Sequence, residues 1–142
     1  MVSDIDVLEN VLDKDATLLA GVNDNNLHAA TPCPEYDVAT LVNHIVGWLQ
    51  TFAAAANART FPGDPNSYEG EDPAADFREI SAELIAGWRQ YGTDRTLPSV
   101  SGGDGTPARQ NLSMAIMEYT AHGWDLAKEE ASDPLIRQQP RQ

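Results

Sequence analysis

Residues 37–52 read DVATLVNHIVGWLQTF, and this stretch decides the predicted fold class. Its apolar side chains recur at intervals of three and four, which places them on one face of a helix. Asp37 suits the N-cap position, because its carboxylate can accept hydrogen bonds from the N–H groups of the first turn. The inward face is then made of Val38, Leu41, Val42, Ile45, Leu49 and Phe52.

Three other stretches carry the same period, and none of comparable length alternates as a half-buried strand would. The predicted boundaries are Ser3 or Asp4 to Gly21 for the first helix, Asp72 to Gly92 for the third and Ala108 to about Glu130 for the fourth. Their inward faces are predicted to be Ile5, Leu8, Leu12 and Leu19; Phe77, Ile80, Leu84, Trp88 and Tyr91; and Leu112, Ile116, Tyr119, Gly123 and Leu126. The predicted fold class is all-α, a four-helix bundle.

Two segments rich in Pro, Gly and Asp separate these helices, from Arg59 to Glu71 and from Thr93 to Pro107, and both are predicted to be loops. A chain of 142 residues favours a single domain. We expect the bundle to span residues 1–131 and residues 132–142 to form a fraying tail.

The composition excludes several classes of function. The chain has 22 acidic against 9 basic residues and a formal net charge of −13, so a phosphate backbone is repelled and nucleic acid is not expected as a partner. No window approaches the ~20 apolar residues of a membrane span, and the N-terminus lacks the features of a secretory signal. The single Cys33 cannot form an internal disulfide, which favours a cytoplasmic protein.

Polar side chains lie on the flanks of two predicted helices. His44 is three residues after Leu41, at the edge of the apolar face of the second helix. Glu118, His122 and Asp125 follow at spacings of four and three, on one flank of the fourth helix. If the two flanks meet, His44, Glu118 and His122 converge, and two imidazoles with one carboxylate make a three-ligand metal site with an open position.

A simpler interpretation stays open. His44 could be a hydrogen-bonded packing residue, and Glu118 with His122 could be an ordinary i,i+4 pair. Asp125 could be a solvated acid that pairs with Lys128. His28 is interpreted as a surface residue and Cys33 as a packing residue, because no neighbouring basic residue lowers the pKa of its thiol. Each of Trp48, Trp88 and Trp124 is expected in the core or in a pocket wall.

Two segments together resemble a known family. They are TPCPEYDV at 31–38, continuing into LVNHIVG at 41–47, and EYTAHGWDLA at 118–127. They are similar to the DinB/YfiT-like superfamily, specifically the actinobacterial branch related to the N-terminal domain of mycothiol-dependent maleylpyruvate isomerase. The resemblance extends over nearly the whole chain in helix order and loop placement. It implies a four-helix bundle with up-down-down-up connections and a divalent metal, usually zinc, near one end.

The resemblance also implies roles for individual residues. It places the metal ligands at His44, Glu118 and His122, the same trio that the spacing predicts. Asp125 falls where the isomerase helps to hold its thiol cofactor, mycothiol, and the same role is implied here. The metal is expected to be zinc, with nickel as an alternative, since these ligands suit more than one ion.

One departure from the isomerase limits what is carried over. The isomerase has a further C-terminal domain, for which 142 residues leave no room, so its activity on maleylpyruvate is not expected here. In its place Arg59, Arg89 and Arg109 are candidates for binding an anionic substrate, and the spacing does not select among them.

Three functions follow as hypotheses. The first is a metal-dependent, mycothiol-type thiol transferase or isomerase that acts on an electrophilic small molecule, with a low-molecular-weight thiol as its partner. The second is a non-catalytic four-helix bundle that binds a metal or a small molecule, or dimerises, in a stress response. The third is metal-dependent hydrolysis. A homodimer is expected by analogy with the family.

Overall fold

The computed structural model describes residues 3–22, 37–97 and 105–132. Its four long helices are α1 (Asp4–Ala20), α2 (Val38–Ala56), α3 (Pro73–Tyr91) and α4 (Ala108–Ser132). A 3-10 turn, Pro65–Ser67, and two short strands, β1 (Thr96–Leu97) and β2 (Thr106–Pro107), complete the described elements. The predicted all-α four-helix fold is confirmed. The predictions for His28, Cys33 and the tail from 133 onward lie outside the described residues.

Side-chain caps fix where the first three helices begin. Ser3 caps α1 in a capping box with Asp6, whose side chain in turn accepts from the Ser3 backbone N–H. Asp37 accepts from the Thr40 N–H at 2.8 Å, and Asp72 caps α3 in the same way. Because these oxygens satisfy N–H groups that have no partner inside the helix, the predicted starts are confirmed.

The four helices form a square in which α1 and α2, consecutive in the chain, lie diagonally opposite. α1 packs against α3 and α4, and α2 packs against the same two helices. Arg89 near the end of α3 pairs with Glu9 in α1, whereas Arg78 earlier in α3 pairs with Asp13, so α1 and α3 are antiparallel.

Contacts at the helix ends fix the remaining directions. Asn57, which ends α2, donates to the Glu83 carbonyl in the second half of α3, so α2 and α3 are parallel. Arg95 donates to the Ala56 carbonyl at the end of α2 and accepts from the N–H of Ala108, the first residue of α4. α4 therefore runs antiparallel to α2, and the connections are up-down-down-up.

The core lies between the four helices and contains most of the residues predicted to point inward. Its largest fully buried side chains are Trp88, Tyr119, Phe77, Leu8, Leu12, Leu41, Ile45, Leu49, Leu84 and Leu126. Tyr91 is an exception: it is 47% exposed, because it is the last residue of α3 and stacks under Arg95 instead. Ile116 is only partly buried, and Ala115 takes the core position beside it.

The described parts of the two predicted loops contain short regular elements that were not expected. In the first, the turn at Pro65–Ser67 packs against α2. In the second, β1 and β2 pair antiparallel, with Thr96 opposite Pro107 and Leu97 opposite Thr106. Strands of two residues are too short to produce a recognisable alternation in the sequence.

α2 is the one helix in the described part of the chain that is long and apolar enough to cross a membrane by length and composition. The expectation that no segment reaches this limit is therefore wrong, because α2 has no charged Asp, Glu, Lys or Arg and is apolar on average despite its interspersed polar residues. Within the bundle 56% of this window is buried. α2 packs against both α3 and α4, as the core helix of a bundle does.

Candidate metal centre

Three candidate ligands come together between α2 and α4. His44 comes from α2, and Glu118 and His122 come from successive turns of α4. One ligand atom from each residue lies within 4.8 Å of the others. The structure therefore brings together the trio that the sequence predicts, from two helices that are not consecutive in the chain.

The distances within this trio resemble those between ligands of one ion. Glu118 Oε2 lies 3.8 Å from His44 Nε2 and 3.3 Å from His122 Nε2. Two ligand atoms ~2.0–2.2 Å from a tetrahedral zinc ion are about 3.4 Å apart. The imidazole rings meet edge to face, with centroids 4.6 Å apart and planes at 69°. Both Nε2 atoms thus approach the same carboxylate oxygen.

A buried hydrogen bond next to the trio holds the two helices in register. The Tyr119 hydroxyl donates to the Ile45 carbonyl oxygen at 3.0 Å. Tyr119 is almost fully buried, with its ring edge to face against Phe52 and Phe77 at 5.9 and 6.0 Å. Since Ile45 follows His44, and Tyr119 follows Glu118, this contact fixes the offset between the ligands on the two helices.

The environment of His44 favours its neutral form. Burial lowers the pKa of His44, the nearby His122 lowers it further, and Glu118 opposes both effects. The side chains of His44 and His122 are 19% and 15% exposed, whereas that of Glu118 is 43% exposed. A neutral imidazole can donate its lone pair without first losing a proton, so His44 suits a metal ligand.

One wall of the site is built by the segment that follows α2. The Trp48 ring lies 6.1 Å from that of His44, and its indole N–H donates to the Asn66 side chain at 3.2 Å. The chain can approach α2 this closely because residue 47 is glycine: a Cβ there would overlap the Pro65 carbonyl oxygen. Trp48 is thus half-buried between His44 and this segment, outside the core.

Asp125 lies one turn of α4 after His122 but is not one of the three clustered ligands. It lines a shallow, mostly apolar groove on the outer side of α4, together with Ile116, Met117, Thr120, Ala121 and Trp124. Trp124 is 56% exposed and Met117 is 70% exposed, so this apolar surface faces solvent. Trp88, by contrast, is in the core. The groove was not expected from the sequence, because its members other than Ile116 lie outside the predicted inward face of the helix.

The three arginines considered for an anionic substrate are engaged elsewhere. Arg59 pairs with Glu83, Arg109 pairs with Asp94, and Arg89 pairs with both Asp6 and Glu9. These partners lie on α1, on α3 and in the segment before β1. The expectation that one of these arginines serves the site is not supported, since each has an acidic partner away from it.

The sequence analysis also missed a buried acid, Asp15 on α1, which is only 3% exposed. Its Oδ1 lies where a Cβ on Gly123 of α4 would be, and its Oδ2 has no hydrogen-bond partner within the described part of the chain. Burial raises the pKa of the Asp15 carboxyl to about 8. The signal was available, because Asp15 lies three residues after Leu12 and four before Leu19, on the inward face.

Comparison with known proteins agrees with this architecture. No curated protein and no solved structure matches the chain significantly. One family model does match, over residues 8–127, and it describes the N-terminal domain of mycothiol maleylpyruvate isomerase. The matched range contains both segments that carry the resemblance, residues 31–47 and 118–127, and all three clustered ligands. The chain therefore belongs to the mycothiol maleylpyruvate isomerase N-terminal domain family.

Proposed function

We propose that His44, Glu118 and His122 hold one divalent metal ion, and that the protein uses it to activate a low-molecular-weight thiol of the mycothiol type. The observation that carries this proposal is the convergence of the three ligand atoms within 4.8 Å. Two imidazole nitrogens and one carboxylate oxygen are a donor set that zinc accepts, and nickel is an alternative. The residues present therefore fit the ion that the family implies.

Three protein ligands leave a coordination position for an exogenous ligand, as in catalytic rather than structural zinc sites. When bound, the metal supplies thiolate at neutral pH, because coordination deprotonates a thiol whose own pKa is ~8.5. The protein needs no nucleophile of its own. Membership of the family supports mycothiol or a related thiol as the cofactor.

The other residues of the site bind and orient. Trp48, fixed by its hydrogen bond to Asn66, limits access of water on the α2 side of His44. Asp125, one turn after His122, holds the polar part of the thiol in this proposal. Asp125 makes no hydrogen bond or ion pair with another described residue, which leaves its carboxylate available for a ligand.

The reaction that this arrangement supports is transfer of the thiol to an electrophilic small molecule, or a thiol-dependent isomerisation of it. The thiol sulfur forms a bond to the electrophilic carbon, and the proton lost from sulfur returns to the product or its leaving group. Such a thiol is kept reduced in the cytoplasm, which is where we place the protein. Residues 1–131 form the functional domain in this proposal.

The alternative is a bundle that binds metal without catalysing a reaction. The wide exposure of Glu118 favours it, since an exposed site excludes water poorly. An assay of mycothiol consumption with electrophilic compounds separates the two, because only the transferase accelerates the loss of thiol.

Metal content measured by plasma mass spectrometry on untagged protein tests the site. We expect about one zinc or nickel per chain in the wild type, and loss of the metal in His44→Ala and in His122→Ala. The matched control is His28→Ala, which changes the remaining histidine, outside the predicted ligand set. Far-ultraviolet circular dichroism confirms that each variant folds. Absence of metal after reloading, or its retention in both ligand variants, would overturn the proposal.

A further inference from the structure

The charges near the proposed metal site carry information about its second substrate. Carboxylate substrates are usually held by arginine, whose guanidinium group binds both oxygens at once, or by lysine. The described part of the chain contains five arginines and two lysines. The positions of these seven cations show whether any charged side chain in the described part of the chain is placed to bind an anionic substrate at the metal site.

All five arginines of the described residues have other partners. Arg59, Arg78, Arg89 and Arg109 each pair with one or two acidic side chains. Arg95 donates to the backbone carbonyls of Ala55, Ala56 and Gly92. Arg109, the nearest of them to Glu118 along α4, is nine residues away, or about 13 Å at the rise of a helix.

Neither described lysine is placed to bind an anionic substrate. Lys14 is exposed on α1. Lys128 lies on α4, where its ammonium group packs over the Trp124 ring at 5.3 Å. Its charge is therefore already used in a cation–π contact at one end of the groove.

The net charge of the loaded site also disfavours an anionic substrate. A divalent ion, the Glu118 carboxylate and one thiolate together have no net formal charge, and Asp125 adds a negative charge beside them. The chain as a whole has a net charge of −13, which repels anions at longer range. A carboxylate brought into the groove loses water and gains no arginine or lysine of the described part of the chain in return.

The surface next to the trio is apolar instead. The groove residues Met117, Ala121 and Trp124 are all exposed, and Asp125 joins this groove to the helix turn that carries His122. Methionine and tryptophan side chains adapt to apolar bodies of varied shape. Exposed apolar residues grouped in this way commonly mark a binding surface.

We infer that the electrophile is an uncharged, largely apolar molecule, which binds in the groove of Met117, Ala121 and Trp124 rather than through a carboxylate. This inference rests on the proposed function, whose site and thiol it adopts. It separates the second substrate of this protein from carboxylate compounds such as the one in the name of the family.

A matched pair of electrophiles tests the inference, namely dimethyl maleate and maleate. Addition of a thiol to either compound forms one sulfur–carbon bond and breaks the π bond of the alkene. The other alkene carbon takes up a proton, which balances the proton that the thiol lost. With metal-loaded protein and mycothiol, we expect kcat/KM for the ester, normalised by its uncatalysed rate, to exceed that for the acid about tenfold or more. An equal or higher value for the acid overturns the inference.

Binding is measured separately with the unreactive analogues dimethyl succinate and succinate, by calorimetry on protein saturated with metal and mycothiol. The ester is expected to bind about tenfold more tightly, and failure of both analogues to bind overturns the inference. Absence of turnover with both maleate compounds counts against the proposed function alone, and the binding ratio then decides the inference.

Two charge-insertion variants locate the binding surface. Ala121→Arg places a guanidinium group in the groove, and it should shift the binding ratio about tenfold toward succinate, since a charged hydrogen bond contributes about 1.5–3 kcal/mol. Ser113→Arg adds the same charge at an exposed position of α4 outside the groove residues. We expect it to shift the ratio less than about twofold. Equal shifts in the two variants would overturn the assignment of the groove.

Discussion

The Tyr119 hydroxyl donates to the Ile45 carbonyl at 3.0 Å, and both residues are chain neighbours of candidate ligands. An α-helix carbonyl has a second lone pair, so Ile45 accepts this bond in addition to the one within α2. The bond is buried, and the Tyr119 ring packs against Phe52 and Phe77, so water does not readily replace it. The relative position of His44 and Glu118 therefore depends on a contact that no metal ion makes.

Tyr119→Phe should remove this bond and leave the ring packing in place. We expect the free energy of unfolding to fall by about 1 kcal/mol, the usual net contribution of one hydrogen bond, and metal affinity to fall with it. Urea denaturation and competition with a chelator measure the two effects. The control is Tyr91→Phe, at an exposed position on α3. If Tyr119→Phe binds metal as tightly as the wild type, the bond does not set the register.

Asp15 should make stability fall as pH rises. The pKa of its carboxyl is about 8 in the folded chain and near the ordinary 3.8 when unfolded, so between these values the folded state holds one more proton. The Asp15 contribution should therefore be complete below pH 4 and decrease by up to about 1.4 kcal/mol per pH unit until about pH 8. Urea denaturation from pH 5 to pH 8 measures this slope.

The comparison variant for this slope is Asp15→Asn, which keeps the shape of the side chain and cannot ionise. It should be more stable than the wild type at pH 7 and lose the Asp15 part of the slope. Asp13→Asn changes an exposed acid on the same helix and should keep the slope. A wild-type slope equal to that of Asp15→Asn would show that Asp15 is not buried as described.

Arg95 should be the arginine on which stability depends most. Its guanidinium group donates to three backbone carbonyls, two of them at the end of α2, and stacks on Trp88 and Tyr91 at 5.2 and 5.6 Å. Arg95→Lys should cost about 2–3 kcal/mol, because an ammonium group cannot reach all three carbonyls in the same plane.

Arg109→Lys provides the matched comparison, since Arg109 makes an ion pair with Asp94 in which both side chains are exposed. The expected cost is below about 0.5 kcal/mol, as for other surface ion pairs. Chemical denaturation of the two variants side by side measures the difference. A similar loss of stability in both variants would mean that water replaces the Arg95 guanidinium group as the hydrogen-bond donor to the carbonyls at the end of α2.

Gly47→Ala should disturb the wall of the metal site. The added Cβ would overlap the Pro65 carbonyl, so the turn must move away from α2 and the Trp48–Asn66 bond is lost. We expect a loss of about 1–3 kcal/mol in stability, as for other overpacked cores. Asn66→Ala, which removes the bond alone, should cost at most about 1 kcal/mol. Equal costs would mean that the turn adapts without strain.

The four helices and the pairing of Glu118 with His122 could be predicted from the sequence because both depend on local spacing. The caps Asp37 and Asp72 precede regular apolar periods, and Glu118 and His122 are one helical turn apart. What the spacing left open was whether His44 lies near them. That depends on which flank of α2 meets α4, and this is a property of the whole bundle.

The features that were missed depend on distant partners. Arg89 was a plausible substrate ligand until its pairing with Asp6 and Glu9, some eighty positions earlier, was known. Trp124 is exposed, whereas Gly123 next to it in the sequence lies against the buried Asp15 of α1. Local periodicity carries no information about such long-range pairings.

The bond between Tyr119 and Ile45 joins positions 74 residues apart, and the proposed ligands span an equal distance along the chain. A metal ion held by His44 and Glu118 would therefore act as a reversible cross-link between the two halves of the molecule. By the loop-closure relation for disulfides, a link over this length lowers the conformational entropy of the unfolded chain, which is worth about 4 kcal/mol of stability at 25 °C. With a single cysteine, the chain cannot form an internal disulfide that would serve the same purpose. The bound ion would supply a comparable cross-link, which a chelator can remove.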